Sequence, residues 1–286
     1  MSDYFESSSL QWALGKHAVI TGGSSGIGFE IARRLNGTCR KLSLIARNHS
    51  GKLDDAREAL LQEQEQWKVG SRTEICVHAM DVRDVKKAEA WVQRLYKAQG
   101  DQVDIFVNCA GGSHIYGKIE EMDISDIETI FDVNAKAPVM WMRVLLPYMK
   151  RNKIKPDDRK RGHVLMLSSR SGERTLPRLS VYTAAKGAVE KLVEAMQKEF
   201  VQHKIIFTLI NPGSVNTAFT SRWDAVTRVA HNDESITAGE AADPIIYAIN
   251  SRFAVNRISY ESLEQWLNEP GVLLDEIDGT ENDSSR

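Results

Sequence analysis

The chain has 286 residues, 42% of them hydrophobic and 27% charged, with 37 Lys and Arg against 39 Asp and Glu for a net charge of −2. That length admits two ordinary domains or one large α/β domain, and the composition excludes a disordered body. A near-neutral balance supplies no global field for nucleic acid or an anionic membrane, so neither is an expected partner.

Residues 1–14 read as a polar leader, followed by a short β-rich run, His17 to Ile20, a Gly-rich turn, Thr21 to Gly28, and a helical pattern from Phe29 to Leu35. Further strands are expected at Lys41 to Ala46, Glu74 to Ala79, Val103 to Val107, His163 to Leu167 and Ile205 to Ile210. Between them the spacing predicts helices at Leu53 to Lys68, Val85 to Ala98, Ile124 to Lys150 and Val181 to Val201. Regular alternation of this kind implies an α/β fold: a single-domain, doubly wound parallel sheet of Rossmann type with helices on both faces, spanning residues 15–263. Residues 264–286 read as a tail, and Asp275 to Arg286 carries five acidic residues. The connector Lys150 to Arg161 holds seven basic residues in twelve, either a solvated loop or a dock for an acidic partner.

The longest uncharged stretch, Ile205 to Ser221, is 17 residues interrupted by Asn211-Pro212-Gly213, short of the roughly 20 apolar residues of a membrane helix, so no span is expected. Cys39, Cys76 and Cys109 are odd in number and scattered, which argues for neither disulfides nor a metal site. With no basic residue before Lys16 to start a secretory signal, the expected location is cytoplasmic.

Gly22, Gly26 and Gly28 stand as G-x-x-x-G-x-G between the first strand and the first helix. In that context glycines permit a tight turn and close backbone approach to a pyrophosphate, which the helix N-terminus then faces. The second strand ends in Ala46-Arg47-Asn48 with no carboxylate to accept a ribose hydroxyl, and Arg47 suits a 2′-phosphate, so NADP(H) is expected over NAD. Tyr182 and Lys186, four residues apart, share one helix face, and Ser169 lies 13 residues before Tyr182 at a strand end. An ammonium about 4 Å from a phenol at an effective dielectric near 20 is worth about 4 kcal/mol, or roughly 3 pKa units, enough to make Tyr182 a usable acid or base. Ser169 is placed to hold the substrate oxygen.

Taken together, these residues resemble the short-chain dehydrogenase/reductase family from about Gly15 to Leu263: the Thr21 to Gly28 turn, Asp81-Val82, Asn108-Cys109-Ala110-Gly111, Asn134, Ser169, Tyr182, Lys186 and Asn211-Pro212-Gly213 with Thr217. The resemblance implies a nicotinamide-dependent oxidoreductase acting on a carbonyl or alcohol substrate, with Asn134, Ser169, Tyr182 and Lys186 as the catalytic set. It further implies a cofactor site made by Gly22, Ser24, Ser25, Gly26, Ile27, Gly28, Arg47, Asn48, Asp81, Val82, Asn108, Ala110, Gly111, Tyr182, Lys186, Pro212, Gly213, Val215 and Thr217. Within it Asp81 would bond the adenine amino group, Lys186 the nicotinamide ribose, and Asn134 a water leading from Lys186 to solvent. Cys109 stands where the family usually has a second Asn. The turn, the Ala46-Arg47-Asn48 segment and Asn108 to Gly111 are also similar to the ketosphinganine reductase branch, and the tail Val255 to Leu263 to reductases of short hydroxy acids and diketones. A homodimer or homotetramer through the Ile124 to Lys150 and Val181 to Val201 helices is implied as well.

Substrate choice is expected from Gly112 to Gly117, Arg170 to Arg178 and Ala218 to Thr237, beyond the strand ends. Arg170 and Arg174 read either as receptors for an acidic substrate or as surface partners of Glu173. Phe219, Trp223, Val226 and Val229 suggest an apolar lid or a core beneath a long loop. A cofactor-binding regulator or scaffold with little turnover is the alternative to an enzyme.

Overall fold

The computed structural model describes residues 12–67, 72–98, 101–156, 158–175, 177–217, 235–251 and 253–262. Seven strands form one parallel sheet: β1 (His17–Thr21), β2 (Lys41–Ala46), β3 (Glu74–Ala79), β4 (Ile105–Asn108), β5 (Gly162–Leu167), β6 (Ile205–Pro212) and β9 (Arg257–Tyr260), in the order β3-β2-β1-β4-β5-β6-β9. Two short strands, β7 (Val215–Asn216) and β8 (Ile236–Thr237), pair separately.

Alternate strand residues face opposite helical layers, so the inner strands bury both faces and read as largely apolar runs. Val19, Phe106, Val164 and Phe207 pack with Trp91 of α3 (Val85–Lys97), Trp141 and Leu145 of α5 (Ala137–Met149), and Val189 and Val193 of α7 (Ser180–Phe200). Ile20, Leu44, Val107 and Leu165 pack with Ile31 and Leu35 of α1 (Gly26–Leu35), Leu60 of α2 (Lys52–Glu65) and Ile245 and Ile249 of Ala238–Asn250. The chain winds from β1 outward to β3, then returns to β4 on the other side of β1. That reversal opens a crevice at the carboxyl ends of β1 and β4.

Three features differ from the sequence expectation. The helix expected over Ile124 to Lys150 is α4 (Ile124–Phe131), a π-helical turn (Asp132–Lys136) and α5, because the Asn134 amide turns back onto the Ile130 carbonyl at 2.9 Å. The helix α8 (Ala238–Asn250) was not anticipated, although Thr237 and Glu240 form a capping box at its start. Nor was β9, whose Arg-Ile-Ser-Tyr sequence alternates too briefly to stand out. A four-residue helix, α6 (Arg170–Glu173), follows β5. The expected lid at Phe219, Trp223, Val226 and Val229 lies outside the described residues.

Candidate active site

The crevice at the carboxyl end of the sheet is a cleft of about 1280 Å³. Its floor begins with the Gly-rich turn. Gly22 and Gly26 have φ of +71° and +56°, where a side chain would be strained, and a Cβ at Gly22 would lie 3.0 Å from the Ala110 backbone. A Cβ at Gly28 would collide with the Gly22 carbonyl, so Gly28 serves helix-to-turn packing and stands behind the cleft wall. The Ser25 side chain makes no capping bond to α1, and its first-turn residues Gly26 and Ile27 line the cleft with Ser24 and Ser25. Thr21 fixes the opposite edge: its hydroxyl accepts the Cys109 and Ala110 amides at 3.1 and 3.2 Å. Cys109 is free, its thiol pushed up to about 12 by burial.

At one end of the cleft Arg47 is joined by His49 and Lys52, two basic residues absent from the sequence expectation. A helical surface residue and a turn histidine carry no motif of their own; only their closeness to Arg47 in sequence hinted at them. Asn48, expected here, instead holds α2: it accepts the Leu53 amide at 3.2 Å and donates to Asp54 at 2.7 Å, and it does not line the cleft. Asp81 and Val82 do line it, but the Asp81 carboxylate is engaged by Arg83 through its backbone amide and both arms of its guanidinium at 2.8–3.0 Å. Asn108 is buried at the end of β4, behind the lining residues Ala110 and Gly111. Pro212, Gly213, Val215 and Thr217 close the far wall, and the Thr217 methyl comes within 3.2 Å of where a Gly26 Cβ would be.

Ser169, Tyr182 and Lys186 converge on the same cleft. Ser169 caps α6 by accepting the Ser171 amide at 3.1 Å, and a hydrogen bond joins it to Tyr182. Lys186 Nζ stands 5.6 Å from the Tyr182 ring centre and donates to the Leu167 carbonyl at 2.9 Å. Asn134 is brought close without lining the surface: it receives the Gly112 amide at 2.9 Å and donates to the Gly112 carbonyl at 2.8 Å. A Cβ on Gly111 would fall 2.8 Å from Asn134 Oδ1 and 3.1 Å from Lys186 Nζ, so this glycine is what lets the three meet.

The electrostatics correct one expectation. Rather than being drawn down by Lys186, the Tyr182 hydroxyl is pushed well above its ordinary range by burial, with Ser169 opposing. Burial also brings Lys186 down to about 8. Desolvation outweighs the attraction because each group is buried and the amine is turned to a backbone carbonyl.

The sequence profile of the short chain dehydrogenase family matches residues 16–227. The chain belongs to that family. It is 29% identical over 241 residues to an uncharacterized oxidoreductase of Staphylococcus epidermidis, covering 84% of this chain and 94% of the relative. It is 30% identical over 204 residues to the 3-ketodihydrosphingosine reductase of Mus musculus, covering 71% of this chain but only 57% of that protein. Among solved structures, an alcohol dehydrogenase of Thermococcus sibiricus complexed with 5-hydroxy-NADP superposes with a TM-score of 0.72 at 25% identity, over 89% of this chain and 98% of that one. A metagenomic short-chain oxidoreductase in complex with NADP gives 0.69 at 26% identity, over 88% and 98%. This short chain dehydrogenase is thus an oxidoreductase with a Rossmann-like sheet, and among its described residues no helix is long and apolar enough to cross a membrane.

Proposed function

We propose that the chain is a single-domain, NADP(H)-dependent oxidoreductase that reduces a carbonyl group to an alcohol, with Ser169, Tyr182 and Lys186 acting on the substrate oxygen and Asn134 supporting them. The observation that carries the reading is one cleft holding both the uncapped start of α1 and the hydrogen-bonded Ser169 and Tyr182 over Lys186. A dinucleotide fits this site: glycines at positive φ leave room for a pyrophosphate, and Arg47, His49 and Lys52 supply positive charge at the adenosine end. When bound, the nicotinamide supplies hydride to the carbonyl carbon.

The chain's own residues manage the proton. Tyr182 holds its hydroxyl proton at neutral pH and donates it as negative charge develops on the substrate oxygen, against the cost that burial places on the tyrosinate. Ser169 Oγ donates to the same oxygen as negative charge develops there. A charged Lys186 stabilises the tyrosinate left behind, and Asn134 fixes the Gly111-Gly112 backbone beside the lysine. The Asp81 carboxylate, held by Arg83, remains beside the adenine end; Asn108 and Gly28 serve the site as packing rather than contact residues.

The expected homo-oligomer is supported by an apolar patch of Phe131, Val139, Met140 and Leu192 on the outer face of α4, α5 and α7, with Val139 42% exposed. A cytoplasmic location accords with three unpaired cysteines. Tyr182→Phe removes only the hydroxyl and is expected to cut NADPH-dependent turnover by roughly 10²–10⁴-fold with cofactor binding retained. A folded Tyr182→Phe protein that binds NADPH and keeps most of its rate would overturn the reading in favour of a cofactor-binding regulator.

A further inference from the structure

The short helix that follows Ser169 rests on a pair of carboxylates. α6 runs only from Arg170 to Glu173, and a single turn is too short to hold its own shape in water. Ser169 caps this turn by accepting the Ser171 amide at 3.1 Å and also bonds Tyr182, so a shift of α6 moves the Ser169 hydroxyl against the tyrosine. What fixes α6 must therefore come from its neighbours.

Beneath it lies Glu190, buried on α7 four residues after Lys186 and eight after Tyr182. The fit is close: a Cβ at Gly172 would collide with the Glu190 carboxylate and come within 3.0 Å of Ser168 Oγ. Glu173, at the end of α6, brings a second carboxylate to the same place. The Asn211 amide of β6 donates to Glu173 Oε1 at 2.8 Å and to Glu190 Oε1 at 3.0 Å. Arg257 of β9 joins the same two acids, its Nη1 reaching Glu173 Oε1 at 2.7 Å and Glu190 Oε2 at 3.3 Å, while its Nη2 reaches Glu194 at 3.2 Å. Glu173 also accepts from Ser259 at 2.6 Å and from Arg170 at 2.5 Å. Arg170 is thus a partner of Glu173, one of the two roles its sequence suggested, and it also donates at 3.3 Å to Glu261, which lines the cleft just after β9.

The two acids sit unequally in this network. Burial alone would lift the Glu173 carboxyl, but bonds from Ser259, Arg257 and Asn211 hold it below its ordinary range. Burial lifts Glu190 above its range, with Arg257 opposing and the charge of Glu173 adding to the rise. Without Arg257, Glu173 keeps Asn211, Ser259 and Arg170 but loses the cation it shares with Glu190. The two like charges then repel, and Glu173 on its single turn yields before Glu190 on the 21-residue α7. Neither Arg257 nor Glu190 lines the cleft.

We propose that Arg257 is a positioning residue for the reduction: by binding Glu173 and Glu190 together it fastens α6 to α7 and so sets Ser169 against Tyr182. This rests on the carbonyl-reductase reading above. The proton still comes from Tyr182, and Arg257 acts only through Ser169.

The test uses the full chain with NADPH, with diacetyl and phenanthrenequinone as carbonyl probes and hydrogen exchange of the NADPH complex as a second readout. Arg257→Met should lower kcat roughly tenfold with the Kd for NADPH unchanged, because a small misplacement of Ser169 weakens its bond to the developing charge. Adding Glu190→Gln to Arg257→Met should restore most of the rate, since one of the two facing charges is gone. In a Ser169→Ala background Arg257→Met should change kcat by less than about twofold, because the group it positions is absent. The Ser171 amide, bonded to Ser169, should exchange faster in Arg257→Met and slow again in the double variant. Equal losses of rate with and without Ser169, or a double variant as slow as Arg257→Met, would make Arg257 a general brace of β9 and overturn the proposal. If neither probe is reduced, or Tyr182→Phe keeps the rate, the reductase reading fails by itself. The exchange comparison then still decides whether Arg257 holds Ser169: unaltered exchange at Ser171 overturns it.

Discussion

Two buried basic groups at opposite ends of the parallel sheet, His17 and Lys186, are held in different ways. At the amino end, the His17 ring lies between Asp101 at 3.0 Å and Ser43 at 2.9 Å, and Asp101 also receives Arg40 at 2.9 Å and Lys41 at 3.1 Å. Nearby, Lys160 donates to the Ile249 carbonyl in the last turn of α8 at 2.7 Å, and His163 bonds Thr208 at 2.8 Å. At the carboxyl end, buried Lys186 reaches a backbone carbonyl and faces a tyrosine, with no carboxylate in ion-pair distance among the described residues. Paired charges build a foundation; a lysine without a counter-ion is a reactive group held at some cost to stability. The basic connector, read from sequence as a solvated loop or an acidic partner's dock, belongs in part to the foundation, since Lys160 is buried and Arg161 bonds the Asn152 and His203 carbonyls.

Lys186→Met tests the contrast where the expected effect is greatest. Turnover should fall about a hundredfold or more, because the tyrosinate then loses its cation and is left with the bond from Ser169. The melting temperature should hold or rise, as losing one bond to Leu167, worth about 1 kcal/mol, is offset by removing an amine whose charge burial disfavours. Turnover measured beside thermal melting checks both; a destabilised enzyme of normal rate would reverse the assignment of the two ends.

Asp101→Asn should do the reverse, costing on the order of 2 kcal/mol of stability with kcat unchanged. Burial alone would raise this carboxyl, but bonds from His17, Arg40 and Lys41 hold it far below its ordinary range. A lowered acid contributes stability that is present above the unfolded value near pH 4 and is lost as pH falls through the folded one. The gap between wild type and variant in urea midpoint should therefore be full at neutral pH and close in strong acid.

What the sequence discloses follows the same division. The β/α alternation was legible because each inner strand is apolar on both faces, and Tyr182, Lys186 and Ser169 because chemistry fixes their spacing. The π turn at Asp132–Lys136 was not, since its cause is a bond from Asn134 to a backbone carbonyl rather than a residue pattern. Asn48 was placed with the cofactor on a neighbour's merits, when its amide is spent on Leu53 and Asp54. Glu261 was invisible as part of the cleft: it lies 79 residues from Tyr182 and reaches the site only because β9 joins the sheet beside β6.

The smallest expected effect concerns how Lys160 titrates. Burial, then the nearby charge of Lys16, brings its amine down to about 7, with Asp158 opposing. Its amine also lies over Trp12, 4.3 Å from the ring centre, while Lys16 approaches the same ring at 5.0 Å. In the unfolded chain a lysine titrates near 10.4, so between about pH 7 and pH 10 the unfolded state binds more protons than the folded one. Stability tied to this residue must therefore rise with pH across that window, by at most about 1.4 kcal/mol per pH unit. Lys160→Met keeps an unbranched side chain of similar length and removes the titration. Relative to that variant, the wild type should gain stability from pH 7 to pH 9 in chemical denaturation, with turnover alike in both; a constant difference would mean that the amine stays charged in its bond to Ile249 and that this corner of the foundation is fully paired after all.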